Sequence, residues 1–386
     1  MYTRASAGIL WQSPGSEPVA ARIAMAGDFL PSGRLALPAR SSWSEMAALA
    51  APLFCDVDTG IANLECVLDA AELVPRPLNG LGDVVSAPRG ALDFLAALRL
   101  KIAGVANNHA FDFGSAGLSR TLAAVSDRGM KPLGAGRTLR DSPGVFVWSR
   151  PAPVGPRVGF WAAAKATHDP STPYFAGVEP ATLARGLKAL QMLRRQGAQF
   201  CVALLHAGCL RTDYPDPEDA RLIDSLASAG FDIVAASHSH RISGYRRLSA
   251  HGRHAFSFYG LGSVVSGFVS SPLESEGLVV VAGLTSHGKL ASLEVRPVSL
   301  ATSGWAELPT AESAERILAR FKSLSRRIVD GSFAAAFYRD MSKDMFHVYW
   351  RDVRAAFRES GFRGLVRKAG RMRLRHVRRL VRAVVG

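Results

Sequence analysis

From residue 22 onward the apolar positions keep two rhythms that take turns along the chain. Unbroken runs of small and branched apolar residues, "RIAMAGD" (22–28), "KIAGVAN" (101–107), "RVGFWAAA" (157–164), "FCVALLHAG" (200–208) and "FDIVAASHSH" (231–240), predict buried strands. Between them, apolar residues at helical spacing predict helices. The first is "SAPRGALDFLAALRL" (86–100), with Ser86 as N-cap and Pro88 in the first turn. Others run from Ser115 to Arg128, through "PATLARGLKALQMLRRQG" (180–197) and through "DPEDARLIDSLASAG" (216–230). Strand, helix, strand in this order predicts an α/β core containing parallel strands. From residue 254 strand follows strand: "HAFSFYGLGSVV", "GLVVVAGL" and "LASLEVRPVSL", with Ser286-His287-Gly288 as a hairpin turn. That part is expected to close the sheet with antiparallel strands. No internal repeat or low-complexity segment interrupts the pattern.

The polar residues that break these apolar runs cluster at their ends. Asp28, then Asn107, Asn108 and His109 followed by Asp112, then His206, then His238 and His240 all fall where a predicted strand gives way to a loop. In α/β sheets the carboxyl ends of parallel strands are where ligand sites are built. Carboxylate, amide carbonyl and imidazole are donors suited to Mn, Fe, Zn or Mg. The spacing of His238 and His240 puts both rings on one side of an extended segment, which suits two ions or one ion held by two rings. Each residue alone has a plainer reading: a strand-end histidine is ordinarily structural, asparagines form turns, and Asp112 can cap a helix. Their joint occurrence at successive strand ends points to metal.

Composition narrows the class. The chain has 386 residues, 48% of them apolar and 20% charged, enough for a substantial core. Four cysteines, Cys55, Cys66, Cys201 and Cys209, form no CxxC pair, so reduced thiols are expected rather than a disulfide framework or a cysteine zinc site. "GAGRTL" (134–139) lacks the third glycine of a dinucleotide fingerprint and reads as a loop. The N-terminus carries no apolar stretch of signal-peptide length and no run is long enough to span a bilayer, which predicts a cytoplasmic protein. The net charge of +15 is lopsided: residues 351–386 hold twelve Lys/Arg against two acids. On a helix, Phe362, Leu365, Val366, Ala369, Val377, Leu380 and Val384 gather opposite Lys368, Arg371, Arg375, Arg378, Arg379 and Arg382. This basic amphipathic pattern fits an anionic membrane surface, such as the inner membrane face, better than nucleic acid, because an apolar stripe has no use on a duplex. A docked terminal helix with a solvated charged face remains the plainer alternative.

The motifs "GDFLPSG", "DTGIANLEC", "AGVANNHAFDFGSAGLSRTLAAV", "LLHAG" and "FDIVAASHSHRISGYRRL", followed by "HAFSFYGLGSVV", together resemble the CapA family of bacterial capsule and poly-γ-glutamate biosynthesis proteins. That family is a branch of the calcineurin-like metallophosphatases, and the resemblance spans residues 22 to 265. It implies a layered αββα sandwich with mixed sheets over residues 22–300. Residues 1–21 would then be an N-terminal extension, 301–350 a helical extension and 351–386 the basic tail.

The resemblance also implies roles. Asp28 matches the first metal-binding aspartate, Asn63 and Glu65 the "NLE" segment, Asn108 a metal-binding asparagine, and His206, His238 and His240 the later histidine ligands. One or two divalent ions are implied. His109 matches the histidine that protonates a leaving group, with Asp112 orienting it. Leu30 stands where ordinary metallophosphatases have a histidine, a loss the CapA branch shares; Ala207, Ser237 and Ser263 also depart from the usual residues. The expected function is a metal-dependent hydrolase of capsule or surface-polymer synthesis acting on an anionic polymer or a phosphorylated substrate. The alternative keeps the fold as a non-catalytic assembly or binding factor.

Overall fold

A computed structural model describes residues 7–13, 17–32, 35, 42–75, 84–136, 144–150, 155–165, 177–250 and 252–341; the basic tail expected at 351–386 lies outside them. Two mixed sheets face one another. In the first, the order is Gly8–Gln12, Leu290–Leu300, Glu276–Leu284, Ala21–Leu30, Thr59–Leu64, Ile102–Gly104, Lys131–Leu133, with Ser263–Ser266 also paired to Ala21–Leu30. The second runs Tyr245–Ala250, Arg253–Phe258, Ile233–Ser237, Phe200–His206, Arg157–Ala164, Val145–Ser149.

Alternation along the central strands explains the layering. Ile23, Met25, Ile61 and Ile102 join the apolar cluster shared with Phe160, Val202 and Leu204 of the second sheet. Their neighbours Ala24, Ala26, Ala62 and Ala103 face the other way, into a cluster with Phe94, Leu95, Leu118 and Val125. Bulky side chains thus fill the space between the sheets, while alanines let helices Leu92–Ala97 and Gly114–Asp127 lie close. Helices Leu183–Arg195 and Pro217–Ala229 cover the outer face of the second sheet, Leu193 lying against Gly159 of strand Arg157–Ala164 and Leu226 of the second helix against Gly186 of the first. The result is the αββα sandwich with mixed sheets that the resemblance implied. Burial of each large apolar side chain contributes about 1.5–3 kcal/mol to this arrangement.

Residues 8–12 add an antiparallel edge strand on Leu290–Leu300. Beyond residue 300, helix Ala311–Val329 starts at a Thr310 cap, and its Phe321 stacks on Tyr245 and Phe258 at the edge of the second sheet. Among the described residues no helix is long and apolar enough to cross a membrane.

Three local expectations change. Ser86 does not cap a helix: Ser86–Ala87 pairs in parallel with Val67–Leu68, and the helix begins at Leu92 after a turn at Arg89–Ala91. Backbone pairing claimed those residues before helical periodicity took hold. The segment 254–265 is two strands in two sheets, separated by a crossing at Tyr259–Gly262. Nor is everything after 254 antiparallel, since Arg253–Phe258 runs parallel to Ile233–Ser237 and Ser263–Ser266 parallel to Ala21–Leu30. The crossing accounts for the "GD" that ends the first run. A Cβ on Gly27 would stand 1.9 Å from Gly262 O, so only glycine admits this backbone approach, and the Asp28 N–H donates to that same oxygen at 3.0 Å.

Candidate metal centre

The strand ends bring Asp28, Asn63, Glu65, Asn107, Asn108, His206, His238 and His240 to one edge of the sandwich. Asp28 and Asn63 are register partners on adjacent parallel strands, and His206 pairs with Ser237, one residue before His238. Two groups of ligand atoms result, each with its atoms within 4.8 Å of one another: Glu65, His206 and His238, and Asp28, Glu65 and His240. Glu65 belongs to both.

In the first group His206 Nε2 lies 3.3 Å from Glu65 Oε1 and 2.6 Å from Asn108 Oδ1. The His206 and His238 rings meet edge to face with centroids 4.4 Å apart. In the second, Asp28 Oδ2 lies 3.1 Å from His240 Nδ1 and accepts from the His238 N–H at 3.0 Å. Asn63 stands between the groups, its Nδ2 2.7 Å from Asp28 Oδ1 and 3.1 Å from His206 Nδ1. Asn107 donates to Asn63 Oδ1 and to Leu64 O, so it orients a neighbour. The sequence did not assign it that role.

The histidine spacing works differently from strand alternation. The strand ends at Ser237, and His238 and His240 both have left-handed backbones, with φ of 121° and 55°. Each ring therefore serves a separate group, with centroids 6.5 Å apart. A non-glycine residue pays for such a backbone, and two so close together mark a site held in place by its surroundings. Leu30 is buried in the apolar cluster on the helix side of the first sheet and offers nothing to the centre.

Burial dominates the electrostatics. Burial, with Asp28 charged beside it, pushes the Glu65 carboxyl up to about 8. Burial pulls His206 down to about 3 and, with the other imidazoles adding to it, His238 well below its ordinary value. His240 moves the other way: burial opposes its charge, but Glu65 and Asp28 raise it to about 9. Asp28 is held far below the usual carboxylate range, because the bond and charge of His240, and then the charge of His206, outweigh its burial.

Beside the two groups, His109 Nδ1 lies 2.7 Å from Asp112 Oδ2, which also accepts from the Val85 N–H at 2.8 Å. Asp112 thus orients His109 and does not cap the following helix, whose N-cap position is Phe113. Against burial, the Asp112 bond and the charge of Glu65 raise the imidazole above its ordinary value.

Whether these residues suit divalent ions is tested by what they leave unpaired. Among the described residues, both Glu65 oxygens and His238 Nδ1 are buried without a hydrogen-bond partner. Leaving such atoms bare costs about 1–3 kcal/mol each. Carboxylates, imidazoles and an amide oxygen converging on the same space form the donor set of Mn, Fe, Zn or Mg. The donor set of these two groups fits a divalent ion.

Comparison with known proteins bears on the same residues. A protein 25% identical over 168 residues, 42% of this chain and 39% of its own length, is the capsule biosynthesis protein CapA of Bacillus anthracis; the match thus spans well under half of that relative. A Mycobacterium tuberculosis protein named "probable polyglutamine synthesis accessory protein" is 27% identical over 290 residues, 69% of this chain and 72% of its own. Among solved structures, a calcineurin-like phosphoesterase of Bacillus subtilis covers 79% of this chain and 99% of its own, at 12% identity and a TM-score of 0.46. The family model described as bacterial capsule synthesis protein PGA_cap matches residues 22–267, from just before Asp28 to just after Ser263–Ser266, and so takes in the whole centre. The chain belongs to the bacterial capsule synthesis protein PGA_cap family.

Proposed function

We propose that this protein is a metal-dependent hydrolase with a two-metal, phosphoesterase-type centre. It would act on a phosphoester, or on an amide-type linkage of an anionic polymer, in the synthesis of a capsule, poly-γ-glutamate or another surface polymer. The observation that carries this reading is the pair of ligand groups sharing Glu65, with the His109–Asp112 pair alongside. Asp28, Glu65 and His240 would hold one ion; Glu65, His206 and His238, with Asn108, the other. When bound, divalent ions supply Lewis acidity and neutralise charge at the reacting group.

The chain's own residues do the rest. Asn63, itself held by Asn107, donates to one oxygen of the Asp28 carboxylate, and the His238 N–H donates to the other. Asp112 Oδ2 faces Nδ1 of His109, which leaves Nε2 to hold the proton a leaving group needs. The raised affinity of His109 for that proton suits an acid.

Protein purified without chelator should contain one to two equivalents of a divalent ion, and should turn over an activated aryl phosphate ester. His109→Ala should then slow turnover by about 10²- to 10⁴-fold with metal retained. Activity that survives the change refutes the acid role. A second reading, an assembly factor that binds without cutting, is favoured by the buried Leu30, which leaves the Asp28 group with three protein donors. Full metal content with no turnover on any ester would select it.

A further inference from the structure

The arginines around the His238–His240 loop have no role in metal holding or proton transfer. Arg211 follows the strand that delivers His206, and its backbone N–H donates to Ser239 O at 3.1 Å, between the two histidines. Its φ is 61°, a conformation that a long side chain adopts only under constraint. Its side chain is 58% exposed, with Nε 3.5 Å from Glu274 Oε1. Among the described residues its terminal nitrogens have no hydrogen-bond partner.

Arg241 follows His240 directly. Its terminal nitrogens lie 3.3 Å from Asp213 Oδ1 and 3.8 Å from Glu274 Oε1, and its Nε is buried with no partner among the described residues. Glu274 is itself buried and is pinned by the Ser270 N–H at 2.8 Å and the Ser270 hydroxyl at 2.7 Å. It therefore stands as a fixed post between two guanidinium groups. Asp213 is held in turn by Arg320 of helix Ala311–Val329 at 2.9 Å.

We propose that Arg211 and Arg241 form an oxyanion-docking site at the rim of the metal centre, taking a phosphate or carboxylate of the substrate next to the group being cleaved. Guanidinium forks match both oxyanions, and one that is exposed, oriented and only loosely paired has donors to give. Asp213 accepts from Arg241 Nη1 and Glu274 stands against Arg211 Nε, so both arginines are positioned while the terminal nitrogens of Arg211 stay open. The site would select substrates that carry a second negative group near the reacting one. This rests on the hydrolase reading for its substrate, but binding tests it separately.

The test uses the full chain with its metal content measured in every sample. Equilibrium binding is followed with two probes, inorganic phosphate and a short glutamate oligomer, which separate the phosphate source from the carboxylate one. Arg211→Gln should weaken at least one probe about 10-fold, the usual loss for a charge-assisted contact, with metal content unchanged. Arg211→Lys should recover part of it. Arg241→Gln should weaken the same probe; because Arg241 packs in the loop, the exposed Arg211 is the deciding variant. Unchanged affinity for both probes, no measurable binding of either by the wild type, or a loss of metal that accompanies the loss of binding would overturn the assignment. A wild-type protein that holds no metal, yet binds a probe through Arg211, would support this site and overturn the reading of the centre.

Discussion

Two buried polar clusters in this molecule follow opposite rules. Arg296, 1% exposed on the Leu290–Leu300 strand, has every donor engaged. Nε bonds Glu294 at 2.8 Å, Nη1 bonds Leu53 O at 2.7 Å and Asp56 at 2.8 Å, and Nη2 bonds Asp56 at 3.1 Å and Glu294 as well. The strand-end cluster instead leaves both Glu65 oxygens and His238 Nδ1 buried without a hydrogen-bond partner among the described residues. A cluster that exists to join a strand to a turn closes upon itself, because unpaired buried groups cost stability. The strand-end cluster keeps acceptors open and is braced from behind by Asn63 and Asn107, as the proposed ligand site requires.

The sharpest break in that comparison is at the open cluster. Replacing both His238 and His240 by Ala removes one ligand from each group, and metal content should fall from one to two equivalents to nearly none. Metal analysis after gel filtration reads this directly. If the double variant keeps its metal, the centre is drawn wrongly and the bare atoms need another explanation.

The closed cluster should respond in stability and not in metal. Arg296→Met fills most of the volume but strands Glu294 and part of the Asp56 interaction. The expected loss is about 3–5 kcal/mol in urea unfolding, the range for breaking one side of a buried ion pair. Metal content of the folded protein should stay as it was. A loss under about 1 kcal/mol would mean that the cluster is dispensable and that the contrast with the centre is overstated.

Most of the framework is legible in the sequence because strand burial and strand-end polarity are written in consecutive residues. The runs at 157–164 and 200–208 correspond to Arg157–Ala164 and Phe200–His206, and the histidines fall where the strands stop. What sequence does not carry is the backbone context. The left-handed φ of His238 and His240, which splits them between two groups, leaves no trace in "SHSH". The pairing of Ser86–Ala87 with Val67–Leu68 depends on residues about twenty positions apart and overrides a convincing cap pattern. Glu65 was identified only through resemblance, since a glutamate after "NL" has no periodicity of its own. Arg211 and Arg241 were invisible as a pair because Glu274, the residue between them, lies over thirty positions further on.

The smallest expected effect concerns the protons of the open cluster, and it sharpens the comparison most. Burial raises the Glu65 carboxyl and, against burial, the charges of Glu65 and Asp28 raise His240, so without metal this pair shares a proton near neutrality that an ion must displace. His206, pulled down to about 3, and His238, well below its ordinary value, are already neutral and release nothing. The sign follows: affinity for a divalent ion should rise with pH from about 6 to about 9, by up to about 10-fold per unit for one proton displaced. It should flatten once the pH passes both groups. Competition with a chelator of known pH dependence measures the slope. Glu65→Gln removes a ligand together with the charge that raises His240, so its residual binding should be weaker and its slope shallower. A flat profile in the wild type would mean that ions bypass Glu65 and His240, and that the bare carboxylate is not where the metal goes.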